Sequence, residues 1–236
     1  MSDKKELLSI QKLNTFYGES HVLHDLDLNL YQGELIALLG RNGSGRSTVI
    51  KSIMGLVPKI KGSIQILNQE TINLEPHRIA RLGLGYCPED RGIFSSLTVE
   101  ENFYLPPKFS DSGMTVNEIF TLFPNLKERL GTIGTKLSGG EQQMLALARI
   151  LRTGAQILLL DEITEGLAPV IVQVLGNAIQ VLKERGYTII LVEQNFRFTA
   201  KLADRYYVLD HGEIKETFSK QELKQKTELL NRYLSV

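Results

Sequence analysis

Leu35-Ile36-Ala37-Leu38-Leu39-Gly40-Arg41-Asn42-Gly43-Ser44-Gly45-Arg46-Ser47-Thr48 begins as an unbroken apolar run and turns into a glycine loop. Such a run fits a short strand buried on both faces of a parallel sheet. Past the loop, Val49, Ile50, Ile53 and Met54 recur at helical spacing. Strand, glycine loop and helix together make a phosphate-gripping unit, because glycines let successive N–H groups turn inward while the new helix adds unpaired donors and the positive end of its dipole. In the G-x-x-x-x-G-K-[ST] pattern a lysine reaches the β- and γ-phosphates and the next hydroxyl ligates Mg²⁺. Here the hydroxyl is Ser47, and the lysine position holds Arg46. A dinucleotide loop of the G-x-G-x-x-G type is disfavoured, since its third glycine, counted from Gly43 and Gly45, is Thr48.

A second apolar strand, Ile157-Leu158-Leu159-Leu160, ends in Asp161-Glu162, the Walker B arrangement. Ligands of open α/β sheets bind at the carboxyl ends of strands, which brings these acids to the phosphate loop. Asp161 is a candidate for the Mg²⁺ shell, and Glu162 for orienting or deprotonating an attacking water. Read blandly, the two acids end a strand and cap the next helix. Between the two strands lies Leu137-Ser138-Gly139-Gly140-Glu141-Gln142-Gln143-Met144. Met144, Leu147, Ala148 and Leu151 then repeat at helical spacing, so a helix starts at the glycine pair, capped by Ser138.

With these motifs the chain resembles the ATP-binding subunit of an ABC transporter, nearly end to end, Leu137 to Gln142 being similar to the superfamily's signature motif. The resemblance implies an α/β P-loop NTPase fold with a mixed, largely parallel core sheet, an N-terminal antiparallel β subdomain and an inserted α-helical subdomain. It implies one nucleotide-binding domain over 1–236: a RecA-like core with the antiparallel subdomain at 7–93 and 153–218, a helical subdomain at 94–152 and a C-terminal helix at 219–236. ATP and Mg²⁺ are the implied cofactors and ATP hydrolysis the implied activity. Two cassettes would pair head to tail, each nucleotide lying between Gly40, Arg41, Asn42, Gly43, Ser44, Gly45, Arg46, Ser47 and Thr48 of one chain and Ser138, Gly139 and Gly140 of the other. Tyr17 resembles the aromatic that stacks on adenine, and Thr164-Glu165-Gly166-Leu167 the loop that crosses the dimer seam.

Departures from the general ABC pattern narrow the branch. Glu89, in Tyr86-Cys87-Pro88-Glu89-Asp90-Arg91, stands where a glutamine is usual and joins Ser47 and Asp161 as a metal candidate. Gln194, in Val192-Glu193-Gln194-Asn195, stands where a histidine is usual and joins Glu162 as a catalytic candidate. Both, with Glu165-Gly166-Leu167-Ala168-Pro169, resemble the LivF-type ATPase of branched-chain amino acid importers and its urea and amide relatives. Ile163 replaces that branch's proline after the Walker B acid. The implied partners are a second, LivG-like ATPase or another copy of this chain, two membrane permease subunits and an extracytoplasmic solute-binding protein. Arg46 belongs to neither pattern. Guanidinium is larger than ammonium, planar and forked, so ATP is expected to bind while hydrolysis at this loop is slow. Two other classes stay open: a cassette that uses ATP as dimer glue without cleaving it, and a non-transport ABC protein of DNA-repair or translation type.

Composition points the same way. Lys and Arg number 27 against 27 Asp and Glu, which leaves no net charge to draw a nucleic acid onto a whole face. Cys87 is the single cysteine, so no internal disulfide forms and a reducing compartment fits. No stretch approaches the roughly 20 apolar residues that span a bilayer, and Met1 to Glu6 lacks the apolar core of a signal peptide. The expected location is cytoplasmic, peripheral on the membrane's inner face through permeases.

Leu26, Leu28 and Leu30 alternate within an antiparallel region reaching from Leu7 to Leu39, which Ser63 to Leu67 continues. Strand signals vanish from Phe94 to Arg152. Phe94, Leu97 and Tyr104 there are expected in the core rather than at a membrane partner. Strands return at Ile157 to Leu160 and Thr188 to Val192, with Val170 to Arg185 as the crossover helix. Tyr206 to Leu209 and Ile214 to Phe218 form a hairpin around Asp210-His211-Gly212-Glu213, and Lys220 to Leu234 is expected to be a terminal helix.

Overall fold

The structure, a computed structural model, describes residues 5–234. Two long strands, β1 (Glu6–Tyr17) and β2 (Ser20–Tyr31), open the chain as an antiparallel pair. Leu26, Leu28 and Leu30 are buried while Asp25 and Asp27 are exposed, as the alternation predicts. β3 (Leu35–Leu39) and α1 (Arg46–Ile53) follow on either side of the glycine loop. β4 (Lys59–Ile66), which starts earlier than its apolar pattern suggests, pairs with β1, and β5 (Gln69–Glu70) pairs with β4. After α2 (Pro76–Ala80) comes β6 (Leu84–Cys87). Four helices then succeed one another: α3 (Val99–Tyr104), α4 (Val116–Leu122), α5 (Pro124–Glu128) and α6 (Gly139–Arg152).

β7 (Ile157–Asp161), α7 (Pro169–Glu184), β8 (Thr188–Glu193) and α8 (Phe196–Leu202) restore the strand–helix alternation. β9 (Arg205–Asp210) and β10 (Glu213–Ser219) close it as an antiparallel hairpin, and α9 (Thr227–Leu234) ends it. Two sheets result. One has the order β2-β1-β4-β5 and is antiparallel; the other, β10-β9-β3-β8-β7-β6, is parallel except at the β10 edge.

The larger sheet is a middle layer, because successive residues of a strand face opposite ways. Leu35, Ala37, Leu39, Leu158, Leu160, Ile189 and Leu191 join Phe103, Phe123, Leu145 and Leu151 of the helices in one cluster. Ile36, Leu38, Leu159, Ile190 and Val192 join Ile50 and Ile53 of α1 and Leu8, Ile10 and Leu28 of the antiparallel sheet in another. Burial on both faces is why these strands read as unbroken apolar runs. Each buried leucine contributes about 2 kcal/mol.

Three expectations need correction. Phe94 is 51% exposed and Tyr104 48%, so neither belongs to the core; Leu97 is half-buried. Asn102, fully buried, accepts from the Phe94 N–H and donates to the carbonyls of Phe94, Leu97 and Thr98, which satisfies that loop's backbone without its aromatic side chain. The inner face of α3 is Val99, Asn102 and Phe103, which leaves Tyr104 outside beneath the Arg152 guanidinium at 5.2 Å. The tail is not one helix either: a single 3₁₀ turn at Lys220–Glu222 is capped by Ser219, and α9 begins at Thr227. An ion pair of 2.9 Å from Lys226 to Glu216 holds the intervening chain to β10. The expected last residues, 235 and 236, lie outside the described residues. Finally, β8 runs one residue past Val192, so that Glu193 is a strand residue only 2% exposed.

Candidate functional site

The glycine loop leaves β3 and enters α1 through Gly43 (φ 81°) and Gly45 (φ 105°), conformations that side-chain-bearing residues rarely adopt. A β-carbon on Gly45 would also meet Leu23 Cδ2 at 2.8 Å. Gly45 precedes α1 without any side-chain cap, so the first N–H groups of the helix are left for a ligand. The loop is braced from outside by the β9–β10 turn: the Gly212 N–H donates to the Ser44 carbonyl at 2.9 Å, and the Gly212 carbonyl accepts from the His24 N–H at 2.9 Å. Both turn residues have positive φ, His211 at 46° and Gly212 at 77°, as two-residue hairpins require.

An open cleft of about 400 Å³ lies over this loop, lined by Tyr17, Val22, residues 42–48, Glu89, Glu162 and Glu165. Ser44 Oγ is buried there with no protein partner. That orphan hydroxyl, the uncapped helix start and the lack of a β-carbon at Gly43 and Gly45 fit a phosphate chain, and the cleft is in the size range of small-ligand sites.

Ser47 Oγ donates to Asp161 Oδ1 at 3.0 Å, which joins α1 to the end of β7. These are the hard oxygen donors that Mg²⁺ takes. Among the described residues no three or more His, Cys, Asp or Glu side chains form a metal cage. Mg²⁺ shared between one or two protein oxygens and phosphates requires no such cage. Glu89 lines both the cleft and an adjoining cavity that Asp161 reaches. Burial pushes the Asp161 carboxyl above its ordinary range, while the Ser47 hydrogen bond opposes this.

Arg46 is 3% exposed and turned inward. Its Nη1 donates to the Gly40 carbonyl, and its Nη2 to Asn42 Oδ1 at 3.0 Å and Glu162 Oε1 at 2.7 Å. Both groups of the Arg46–Glu162 ion pair are almost wholly withdrawn from water. Glu162 sits just past β7 at φ 48°, its N–H donating to the Val192 carbonyl at 2.9 Å. Burial and neighbouring Glu165 push its carboxyl up to about 7, while Arg46 pulls the other way.

The predicted residues therefore fall into three places. Tyr17, Asn42 to Thr48, Glu89 and Glu162 share the cleft, with Gly40 and Asp161 buried beside it. Arg41 is exposed, and its carbonyl accepts from the Ser44 N–H at 3.0 Å. Gln194 is exposed and shares with Glu162 a second, smaller cavity of about 270 Å³. Ser138, Gly139 and Gly140 stand apart at the start of α6, where Ser138 accepts from the Glu141 N–H at 3.3 Å and donates to the Glu141 carboxylate at 2.8 Å. None of the three lines the cleft.

Glu193 was not among the candidates. It accepts from the Thr164 N–H at 3.1 Å and the Thr164 hydroxyl at 2.9 Å, and burial pushes it up to about 7. Its signal was available, for it ends an apolar strand just as Asp161 does.

A strand–loop–helix phosphate site, a paired-acid strand end and a separate glycine-pair helix start, on one mixed sheet, define an ABC-type nucleotide-binding cassette. Residues 23–165 match the ABC transporter family, and the chain belongs to it as an ATP-binding subunit. It is 41% identical over 211 residues to the high-affinity branched-chain amino acid transport ATP-binding protein BraG of Pseudomonas aeruginosa, covering 88% of this chain and 91% of that one. It is 36% identical over 212 residues to the probable branched-chain amino acid transport ATP-binding protein LivF of Archaeoglobus fulgidus, covering 88% and 90%. Among solved structures, an ATP-binding subunit of an ABC transporter matches with a TM-score of 0.80 at 24% identity, covering 98% of this chain and all of that one. A nucleotide-free ATP-binding cassette matches with a TM-score of 0.81 at 21% identity, covering 98% and 99%. At that identity the likeness speaks for the fold alone.

Proposed function

We propose that this chain is the ATPase of an importer for branched-chain amino acids, working head to tail with a second, LivG-like ATPase against two permease subunits that a solute-binding protein feeds. The single observation that carries the transport reading is 41% identity to BraG along almost the whole chain. No helix among the described residues is long and apolar enough to cross a membrane, so in this reading membrane work falls to the permeases.

Within the site, the loop N–H groups and Ser44 hold the phosphates, Tyr17 stacks on the base, and Ser47 with Asp161 and Glu89 hold Mg²⁺. When bound, Mg²⁺ neutralises charge on the phosphates. Glu162 orients and deprotonates the attacking water, and Gln194 faces the same region from the end of β8. Ser138, Gly139 and Gly140 complete the partner's site.

Arg46 slows this chain's own site. Its 2.7 Å contact with Glu162 occupies the carboxylate that should face water, and its fork is spent on Gly40 and Asn42. The same ion pair favours a second reading, in which ATP at this loop holds the dimer together and is not cleaved. Phosphate release by the complex that co-purifies with this chain tests both. Stimulation by leucine, isoleucine or valine is expected; stimulation by urea or short amides instead would reassign the solute. ATP-dependent assembly without phosphate release at any site would establish the second reading.

A further inference from the structure

We infer that Glu193 is a positioning residue whose buried carboxylate clamps the turn after β7 and so aims Glu162 into the nucleotide cleft. This rests on the proposed reading of that cleft and of Glu162 as its base. Glu162 stands at φ 48°, a left-handed conformation that strains a residue with a side chain and persists only where its surroundings enforce it. Two consecutive residues of β8 enforce it here. The Val192 carbonyl accepts from the Glu162 N–H at 2.9 Å, and the Glu193 carboxylate accepts from the Thr164 N–H at 3.1 Å and the Thr164 hydroxyl at 2.9 Å.

Between those anchors lies only Ile163, 1% exposed, and the Glu165 N–H closes the turn onto the Glu162 carbonyl at 3.2 Å. Ile163 has no ring to fix its φ, as a proline would, so the turn depends on its anchors. Glu162, Thr164, Glu193 and Gln194 line one cavity, which sets the clamp beside both catalytic candidates.

Stability does not account for a carboxylate at this place. Glu193 is 2% exposed, and Arg46, whose charge acts on it, is ion-paired with Glu162 instead. An acid buried without an ion pair costs free energy. What it supplies is two acceptor oxygens that hold the N–H and the hydroxyl of one residue together.

Turnover of the assembled complex carrying Arg46→Lys, which releases the Glu162 carboxylate from the guanidinium, tests the clamp. Glu193→Met keeps the volume and removes both acceptors. Its kcat should fall about 10-fold or more while the KM for ATP stays within about twofold, because the phosphate loop is untouched. Hydrogen exchange at the Thr164 amide should quicken by about 10-fold, which reports the broken contact directly. Glu193→Gln, able to accept from the Thr164 N–H and donate to its hydroxyl, should restore most of the lost kcat. Thr164→Val should also lower kcat, with no further loss when combined with Glu193→Met. Where Glu193→Met does not fold, Glu193→Gln and Thr164→Val carry the test, and an unchanged kcat in Thr164→Val overturns the clamp. An unchanged kcat in a folded Glu193→Met overturns it too, as does a KM that rises as far as kcat falls or a glutamine variant no better than the methionine. If Glu162→Gln leaves turnover of the same complex unchanged, the reading of Glu162 as base falls, and the clamp with it.

Discussion

Arg46 replaces a slim ammonium with a fork, and the structure puts that fork to use inside the protein. Phosphoryl transfer depends on positioning and charge, so a cation held by Glu162 acts against both the phosphate and the water. Arg46→Lys is expected to raise phosphate release at this loop by about 10-fold or more. Steady-state turnover of the assembled complex measures it, and an unchanged rate would show that the guanidinium is tolerated.

Glu193 permits a prediction of a different kind. Burial lifts its carboxyl from 4.5 to about 7, so the folded chain holds the proton more tightly than the unfolded one. The stability this contributes is full below pH 4.5 and is lost as pH rises through about 7. Glu193→Gln removes the charge that must be buried at high pH and retains partners for Thr164. Its unfolding free energy should therefore exceed that of the unmodified protein at pH 8, by an amount on the order of 1–3 kcal/mol, and match it at pH 5. Thermal denaturation at the two pH values decides; equal gains at both would remove the carboxyl as the cause.

At the scale of elements, the glycine loop depends on a hairpin far along the chain. The Gly212 backbone ties Ser44 to His24, and a β-carbon there would collide with the Val22 carbonyl, in addition to the strain of its positive φ. Gly212→Ala is expected to cost about 2–4 kcal/mol in urea denaturation and to weaken ATP binding. Ser138→Ala removes a cap and should cost about 1 kcal/mol in the same assay, whereas Ser138→Asn should keep most of it.

Strand, loop and helix around Gly40 to Thr48 were legible because apolar run, glycine spacing and helical period all agree locally. The start of α6 was legible for the same reason. The brace from Gly212, the outward turn of Phe94 and the break before α9 were not. Each is set by a side-chain or backbone contact that no periodicity signals: Ser44 for Gly212, Asn102 for Phe94 and Glu216 for the tail.

For the whole molecule, one chain contains two half-sites that do not meet. The phosphate loop and Glu162 line the cleft, with Asp161 buried beside it, while Ser138 to Gly140 lies outside it. Under the proposed head-to-tail pairing, the intact signature of this chain serves its partner and the Arg46 loop is the weaker site. Ser138→Asn should therefore lower turnover of the assembled complex more than Glu162→Gln does, without the stability loss of the alanine variant. The reverse ranking, read from phosphate release by each purified complex, would place productive hydrolysis at this chain's own loop.

By itself the sequence determined the elements and the chemistry at their ends, because a buried strand, a glycine loop and a helix start each carry their signal within a few neighbouring residues. It placed the Arg46 loop and the Asp161-Glu162 pair beyond the ends of two strands and so at one edge of a sheet. What only the tertiary structure decided is which groups touch: that Arg46 grips Glu162, that Ser47 meets Asp161 and that Glu193 holds Thr164. The reason is physical. Periodicity follows from local backbone geometry, whereas a long charged side chain takes its partner from whatever the packing of distant segments leaves within about 3 Å.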